Sequence, residues 1–261
     1  MRETVKIALA RGVPTMVPPS GATLLIYHRV GGGSPDERDL GVVDFGRQLD
    51  VLARHDVVSL DAALDRLDGG DRRPSVVLTF DDGFADVHEN AWPLLRDRGI
   101  PFTLYLATAY LGGTMHWEGS TARADGPALS WGQVAEMVDS GLCTVGNHTD
   151  RHVRPESLTA AELDECTAAI ERNVGVRPKH FAFPWGIPVP ARQADLRARF
   201  RSACTGELGR NQPGTDRMRL RRLPVRRTDP LPFFTAKLRG LGPERAYATL
   251  VRGAKAVGAR A

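Results

Sequence analysis

Short apolar runs alternate with stretches whose apolar residues recur every three or four positions along most of the chain. The apolar runs fall at residues 24–27, 76–80, 102–106, 143–145 and 181–183, with weaker ones at 202–205 and 220–224. Each is four to eight residues or shorter and is bounded by turn-forming residues, as expected of buried strands. Between them the period lengthens. Residues 44–52 put Phe45, Leu49 and Leu52 on one helical face, and 61–67 form a shorter helix. A helix at 86–98 closes at Gly99. Ser130 caps another, running to Val138 with Trp131, Val134 and Val138 inward and Gly141 at its end. Thr159 and Glu162 make a capping-box pattern for a helix to about Asn173. Pro188 and Pro190 open a helix reaching Phe200, and the tail from Phe233 is helical and basic. About seven strands interleaved with helices predict a parallel α/β architecture, either a barrel or a doubly wound sheet. No repeat or linker divides the 261 residues.

Residues 111–129 carry no period but hold His116, Trp117 and Glu118. Long irregular loops in compact domains are commonly functional or disordered.

Composition narrows the class. With 42% hydrophobic and 25% charged residues the chain is an ordinary globular one. No apolar stretch nears the roughly 18 residues of a membrane span, and the run from Ile7 to Ala10 is too short for a signal segment, so a cytoplasmic location is expected. Cys143, Cys166 and Cys204 lack metal-site spacing and are expected as buried thiols. The formal charge is +4, with arginine dense at positions 217, 219, 221, 222, 226 and 227. A solvated face is the plain reading and contact with an anionic part of a substrate the functional one. A nucleic-acid face lacks interleaved aromatics or a motif.

Two segments concentrate the chemistry. Thr79-Phe80-Asp81-Asp82-Gly83 ends the second strand, and His148-Thr149-Asp150-Arg151-His152 follows the fourth. Adjacent carboxylates oppose each other's ionisation and call for a cation or a shared proton. Two imidazoles four residues apart converge on one ion if the turn between them is helical. One Asp and two His form a facial ligand set with open positions, as hydrolytic metals require, and leave the second Asp free as a base. The turn-forming tendency of Asp-Asp-Gly and a solvated helix start for the two His are the structural readings of the same residues.

These segments resemble the first two motifs of the polysaccharide deacetylases (carbohydrate esterase family 4, the NodB homology domain). The resemblance runs from about Leu24 to Val225. Tyr27-His28-Arg29-Val30, Phe181-Ala182-Phe183-Pro184-Trp185-Gly186 and Leu220-Arg221-Arg222-Leu223-Pro224-Val225 resemble the opening strand, third motif and closing strand of the branch linked to exopolysaccharide synthesis. The resemblance implies a single-domain distorted (β/α)7 barrel with a core at about 22–228 and a helical tail at 229–261. It also implies a metal-dependent hydrolase that removes the acetyl group from an N-acetylated amino sugar, whether a glycan, a lipid- or nucleotide-linked sugar or a small glycoside. By motif, Asp82, His148 and His152 hold one divalent metal, zinc first, with cobalt, nickel or manganese as alternatives. Asp81 is the general base, and a backbone N–H of the third-motif region faces the oxyanion.

The chain also departs from the pattern. The third-motif Arg that orients the base falls on Ala182, the aromatic partner is Trp185 where Tyr is usual, and no His stands in Leu223-Pro224-Val225 to protonate the leaving amine. His28 is the candidate replacement acid. Arg222 is a candidate to grip a carboxylate or to bind substrate. Trp185, Pro184 and Trp117 complete the expected substrate contacts, with a hydrophobic loop anchor as the other reading of Trp117. Structural or surface roles are expected for His88 and His180, and turn capping for Asp150. The competing functions are a sugar-binding pseudoenzyme on the same fold and a hydrolase of a non-sugar amide or imide.

Overall fold

Seven parallel strands close on themselves in the computed structural model, which describes residues 2–12, 20–120 and 125–258. They are β1 (Ala22–Tyr27), β2 (Ser75–Phe80), β3 (Phe102–Leu106), β4 (Cys143–Asn147), β5 (His180–Ala182), β6 (Ser202–Leu208) and β7 (Leu220–Pro224). Around the barrel the order is β1, β7, β6, β5, β4, β3, β2. Leu24 of β1 stands opposite Val77 of β2 on one side and Arg222 of β7 on the other. Closure leaves no free edge, and β1 and β2 are buried at every position. That double burial is why these strands read as unbroken apolar runs rather than alternating ones.

The helices are α1 (Arg2–Arg11), α2 (Val42–Leu52), α3 (Leu60–Asp68), α4 (Trp92–Asp97), α5 (Trp131–Asp139), α6 (Ala160–Val174), α7 (Gln193–Arg199), α8 (Leu231–Arg239) and α9 (Gly242–Gly258). Phe45, Leu49 and Leu52 of α2 meet Tyr27, Phe80 and Phe102 in the main core cluster, with Tyr27 and Phe80 stacked at 5.2 Å. Each such side chain contributes about 1.5–3 kcal/mol through burial. The apolar face of α3 joins strand residues Leu24, Val77, Ala182 and Cys204 in a second cluster.

Local structure departs from the sequence reading in several places. The segment expected as one helix at 86–98 begins with a π-helical turn (Val87–Ala91), and Pro93 then sits in the first turn of α4, where its missing N–H is tolerated. Ser130 and Gln133 form a complete capping box on α5, whose fully buried residues are Val134 and Met137, with Trp131 and Val138 partly buried against the same core. On α6 the Thr159 hydroxyl accepts from the Glu162 N–H at 3.3 Å. The Glu162 carboxylate instead accepts from the Arg151 backbone N–H at 2.9 Å, so only half of the expected box forms. Pro190 opens a 3-10 turn before α7.

The tail is two helices, and it is integrated into the fold. Phe234 and Leu238 of α8 belong to the main core. Buried Lys6 of α1 donates to Asp229 at 2.6 Å, and buried Lys237 of α8 does so at 2.5 Å. Within the irregular segment, Thr114–Met115 pairs antiparallel with Gly126–Pro127; residues 121–124 of that expected loop lie outside the described ones. All three cysteines are buried and free. Among the described residues no helix is long and apolar enough to cross a membrane.

Candidate active site

Asp81 and Asp82 leave the C-terminal end of β2, and His148 leaves that of β4, so barrel closure alone brings them to one face. Local backbone does the aiming. Asp82 has φ 79°, followed by Gly83 at φ 106°. The two imidazoles do not sit on a helical turn, contrary to the simplest expectation from their spacing. Thr149 and His152 instead adopt φ 65° and 49°, a left-handed conformation uncommon for residues with a Cβ. Buried Asn147 holds this turn. Its carbonyl oxygen accepts from the Thr149 N–H at 2.9 Å, and its amide donates to the Leu163 carbonyl at 2.8 Å and the Thr167 hydroxyl at 3.1 Å. Strand propensity and spacing gave no sign of this role.

The result is a tight three-residue cluster. Asp82, His148 and His152 each offer a ligand atom within 4.8 Å of the other two, and all are buried. The Nε2 atoms of both imidazoles lie 3.4 Å from Asp82 Oδ1. His148 Nδ1 lies 2.8 Å from the Ala182 carbonyl, which fixes Nδ1 as a donor and turns Nε2 toward Asp82. Asp82 Oδ2 and His152 Nδ1 are buried with no hydrogen-bond partner. Burial alone raises the Asp82 pKa, but the facing His148 and His152 rings outweigh it and hold the carboxyl well below the usual range. Burial opposes protonation of His148, yet Asp82 and Asp81 raise its pKa; burial prevails at His152 and lowers its pKa. An orphaned carboxylate oxygen and two converging imidazole nitrogens fit a divalent cation.

Asp81 stands beside this cluster and outside it. The Arg222 guanidinium donates from Nη1 and Nη2 to its two oxygens at 2.7 and 2.8 Å. Arg222 reaches there from β7 and is fixed in turn by the Thr205 carbonyl at 3.0 Å and the Thr79 hydroxyl at 3.1 Å. Burial raises the Asp81 pKa, but Arg222 and His148 reverse the sign and the carboxyl is held down. The third-motif position is Ala182, so the cation beside Asp81 arrives on the closing strand instead. Arg222 is therefore corrected as a candidate substrate contact: it is 1% exposed and its fork is engaged with Asp81.

A cavity of about 320 Å³ opens over these groups, lined also by His28, Arg38, Trp185 and Arg226. His28 is thus on the same face as the cluster, but burial pushes its pKa down to about 4, with Asp82 opposing. Trp185 is 38% exposed, with φ 63° and its ring against Arg154 and His152. Two expected substrate contacts are corrected. Trp117 is only 3% exposed and packs its ring 4.1 Å from His152, so it backs a candidate ligand rather than facing a sugar. Pro184 is buried beneath Trp185 in the same turn and does not line the cavity. Of Arg38 and Arg226, which do line it, Arg226 belongs to the arginine-dense segment that the sequence marked for contact with an anionic substrate, whereas Arg38 was not singled out. Arg38 is held by Asp36 and Arg226 by Glu244 of α9.

Several other titratable groups have structural partners. His88 meets Glu136, His180 meets Ser202 and Asp61, and Asp150 accepts from the Thr108 hydroxyl. His116 contacts Asp125. The arginine-dense segment is dispersed: Arg217 pairs with Asp68, Arg219 with Glu207, and Arg227 donates to the Ser34 and Pro35 carbonyls.

Comparison with known proteins places the chain and its fold in one family. A family model described as polysaccharide deacetylase matches residues 68–199. The poly-beta-1,6-N-acetyl-D-glucosamine N-deacetylase of Staphylococcus epidermidis is 25% identical over 197 residues, which span 64% of this chain and 66% of that protein. The structure of IcaB from Ammonifex degensii is 29% identical, with a TM-score of 0.72, over 85% of this chain and 97% of that one. The Streptococcus pyogenes deacetylase PplD shares the fold at 19% identity and a TM-score of 0.70, over 85% of this chain and 99% of its own. The chain belongs to the polysaccharide deacetylase family.

Proposed function

We propose that the protein is a metal-dependent hydrolase that removes the acetyl group from an N-acetylated amino sugar, and that a poly-β-1,6-N-acetylglucosamine chain is the first substrate to test. The observation that carries this reading is one carboxylate inside an Asp-His-His cluster and a second just outside it, gripped by Arg222. A binding protein has no need of a separately held, ionised base. The sugar class follows from the relatives' activity rather than from the pocket.

Asp82, His148 and His152 would hold the metal. When bound, a divalent cation lowers the pKa of water and polarises a carbonyl. The chain's own residues do the rest. Asp81 is ionised at neutral pH and accepts the proton of the attacking water. Arg222 fixes both Asp81 oxygens, so the carboxylate cannot swing into the ligand cluster. The departing nitrogen then takes its proton from Asp81. His28, neutral at pH 7, borders the same cavity as a hydrogen-bonding ring rather than as a store of protons. Trp185 forms the exposed wall against which a pyranose ring rests.

Metal analysis of purified protein, paired with acetate release from N-acetylated glucosamine oligomers of β-1,6 and β-1,4 linkage, tests the proposal. Acetate release that stops on chelation and returns with zinc or cobalt is expected. A folded, metal-loaded protein that releases acetate from none of a broad N-acetyl sugar panel would overturn it.

A further inference from the structure

A second cavity, of about 240 Å³, lies at the opposite end of the barrel from the active site. It is lined at the strand starts by Thr23 and Ser75, and around its rim by Arg54, His55, Arg210 and Arg239. Seven residues of extended chain separate Ser75 from Asp82, roughly 20 Å along β2.

The charge at this cavity is unusual for this chain. Most arginines here have carboxylate partners: Arg201 is shared among Asp61, Asp65 and Asp68, and Arg217 takes Asp68. Among the described residues Arg54, Arg210 and Arg239 form no ion pair, yet all three border one cavity. The lining carboxylate, Asp56, is bound to Arg66. Arg210 donates from Nη2 to the Leu238 carbonyl, while its Nη1 is buried with no partner at all. A buried unsatisfied donor in a native fold calls for an explanation, commonly a missing water or ion. Burial lowers the Arg210 pKa to about 10, still far above neutrality, so the orphan is a charged one. Besides burial, Arg210 and Arg239 also push down the pKa of His55.

Helices α2 and α8 end nearby, and each C-terminus carries roughly half a negative charge. That is less than three guanidiniums supply. Guanidinium forks match the oxygens of a phosphoryl group, and several of them suit a dianion better than a single carboxylate. We infer that the Arg54–Arg210–Arg239 cavity binds a phosphoryl group. This site is independent of the hydrolytic reading.

Calorimetric titration with inorganic phosphate at constant ionic strength, chloride as the control, tests it. Saturable phosphate binding is expected, weakened at least tenfold in Arg210→Gln. Should that variant fold poorly, Arg239→Gln alters an exposed position and is expected to weaken binding several-fold with the fold intact. Flotation with phosphatidylglycerol vesicles separates two sources of the same chemistry. Arg239-dependent retention assigns a lipid headgroup, and phosphate binding without retention assigns a soluble phosphoryl ligand. No saturable phosphate binding, or equal affinity in wild type and both variants, overturns the inference and leaves the arginines as caps on two helix ends.

Discussion

Arg222 clasps Asp81 through two parallel hydrogen bonds of 2.7 and 2.8 Å, joining the closing strand of the barrel to the strand that leads into the candidate ligand Asp82. The planar fork holds both oxygens at once, which a lysine ammonium cannot do. Arg222→Lys is expected to keep metal content and lower kcat at least tenfold, with KM little changed. Arg222→Gln leaves Asp81 buried without its counter-charge and is expected to cost about 3–5 kcal/mol of stability as well. Steady-state kinetics with denaturant unfolding on both variants checks this. Equal kinetics in Arg222→Lys and wild type would remove the positioning role.

Variants at Asp81 and His148 test the proposed division between base and ligand. Asp81→Asn is expected to abolish acetate release with metal still bound, because the Asp-His-His cluster is untouched. His148→Ala is expected to lose both. Metal affinity carries a pH signature. The raised His148 pKa means that a proton competes for Nε2 from above its ordinary 6.5 downward. Affinity should therefore fall as pH drops through neutrality, and zinc titrations at pH 8 and pH 6 read it directly. Activity of Asp81→Asn at the wild-type level would reverse the assignment of base and ligand.

Most of this architecture was legible in the chain. The strands are buried on both faces, so they appear as apolar runs, and the two motifs sit at strand ends, where a barrel gathers its loops. What was hidden depends on side-chain reach or backbone sign. Nothing in the spacing of His148 and His152 shows that Thr149 and His152 take positive φ, or that Asn147 ties the turn to α6. Nor does order along the chain disclose that Arg222 lies across β1 from Asp81; only the closed register does. Trp117 read equally well as a sugar platform or a loop anchor, and its burial against His152 came from packing.

His28 borders the cavity, but its pKa of about 4 changes what it can do. At pH 7 the ring is already neutral, so it cannot be the acid whose loss shapes the alkaline side of a pH profile. His28→Ala is expected to lower kcat several-fold by removing a pocket wall, with the alkaline limb of the profile unmoved. Disappearance of that limb in His28→Ala would restore the ring as the proton donor.

Arg226 borders the same cavity, and its Nη1 is held at 2.6 Å by Glu244, which is buried at the start of α9. The terminal helix thus fixes a pocket guanidinium. Glu244→Gln is expected to raise KM several-fold and leave kcat nearly unchanged, since it loosens a wall and spares the reacting groups. A fall in kcat with unchanged KM would count against this arrangement.

Asp229 ties α1 and α8 to the chain that leaves β7, accepting from buried Lys6 and Lys237. Burial raises its pKa, but Lys237 and Lys6 outweigh burial, so its folded value lies below the ordinary carboxylate value. A depressed carboxyl pKa contributes stability above the unfolded value of about 3.9, and that contribution is lost as pH falls through the folded one. Asp229→Asn strands the Lys6 ammonium, leaves Lys237 with Glu244 as its carboxylate partner, and is expected to cost about 3–5 kcal/mol at pH 7. The gap between wild type and variant should hold from pH 7 down to about pH 4 and close below it, as Asp229 itself takes up a proton. Urea unfolding of both proteins across that range measures the gap. A constant difference down to pH 3 would show that Asp229 acts through packing rather than through its charge.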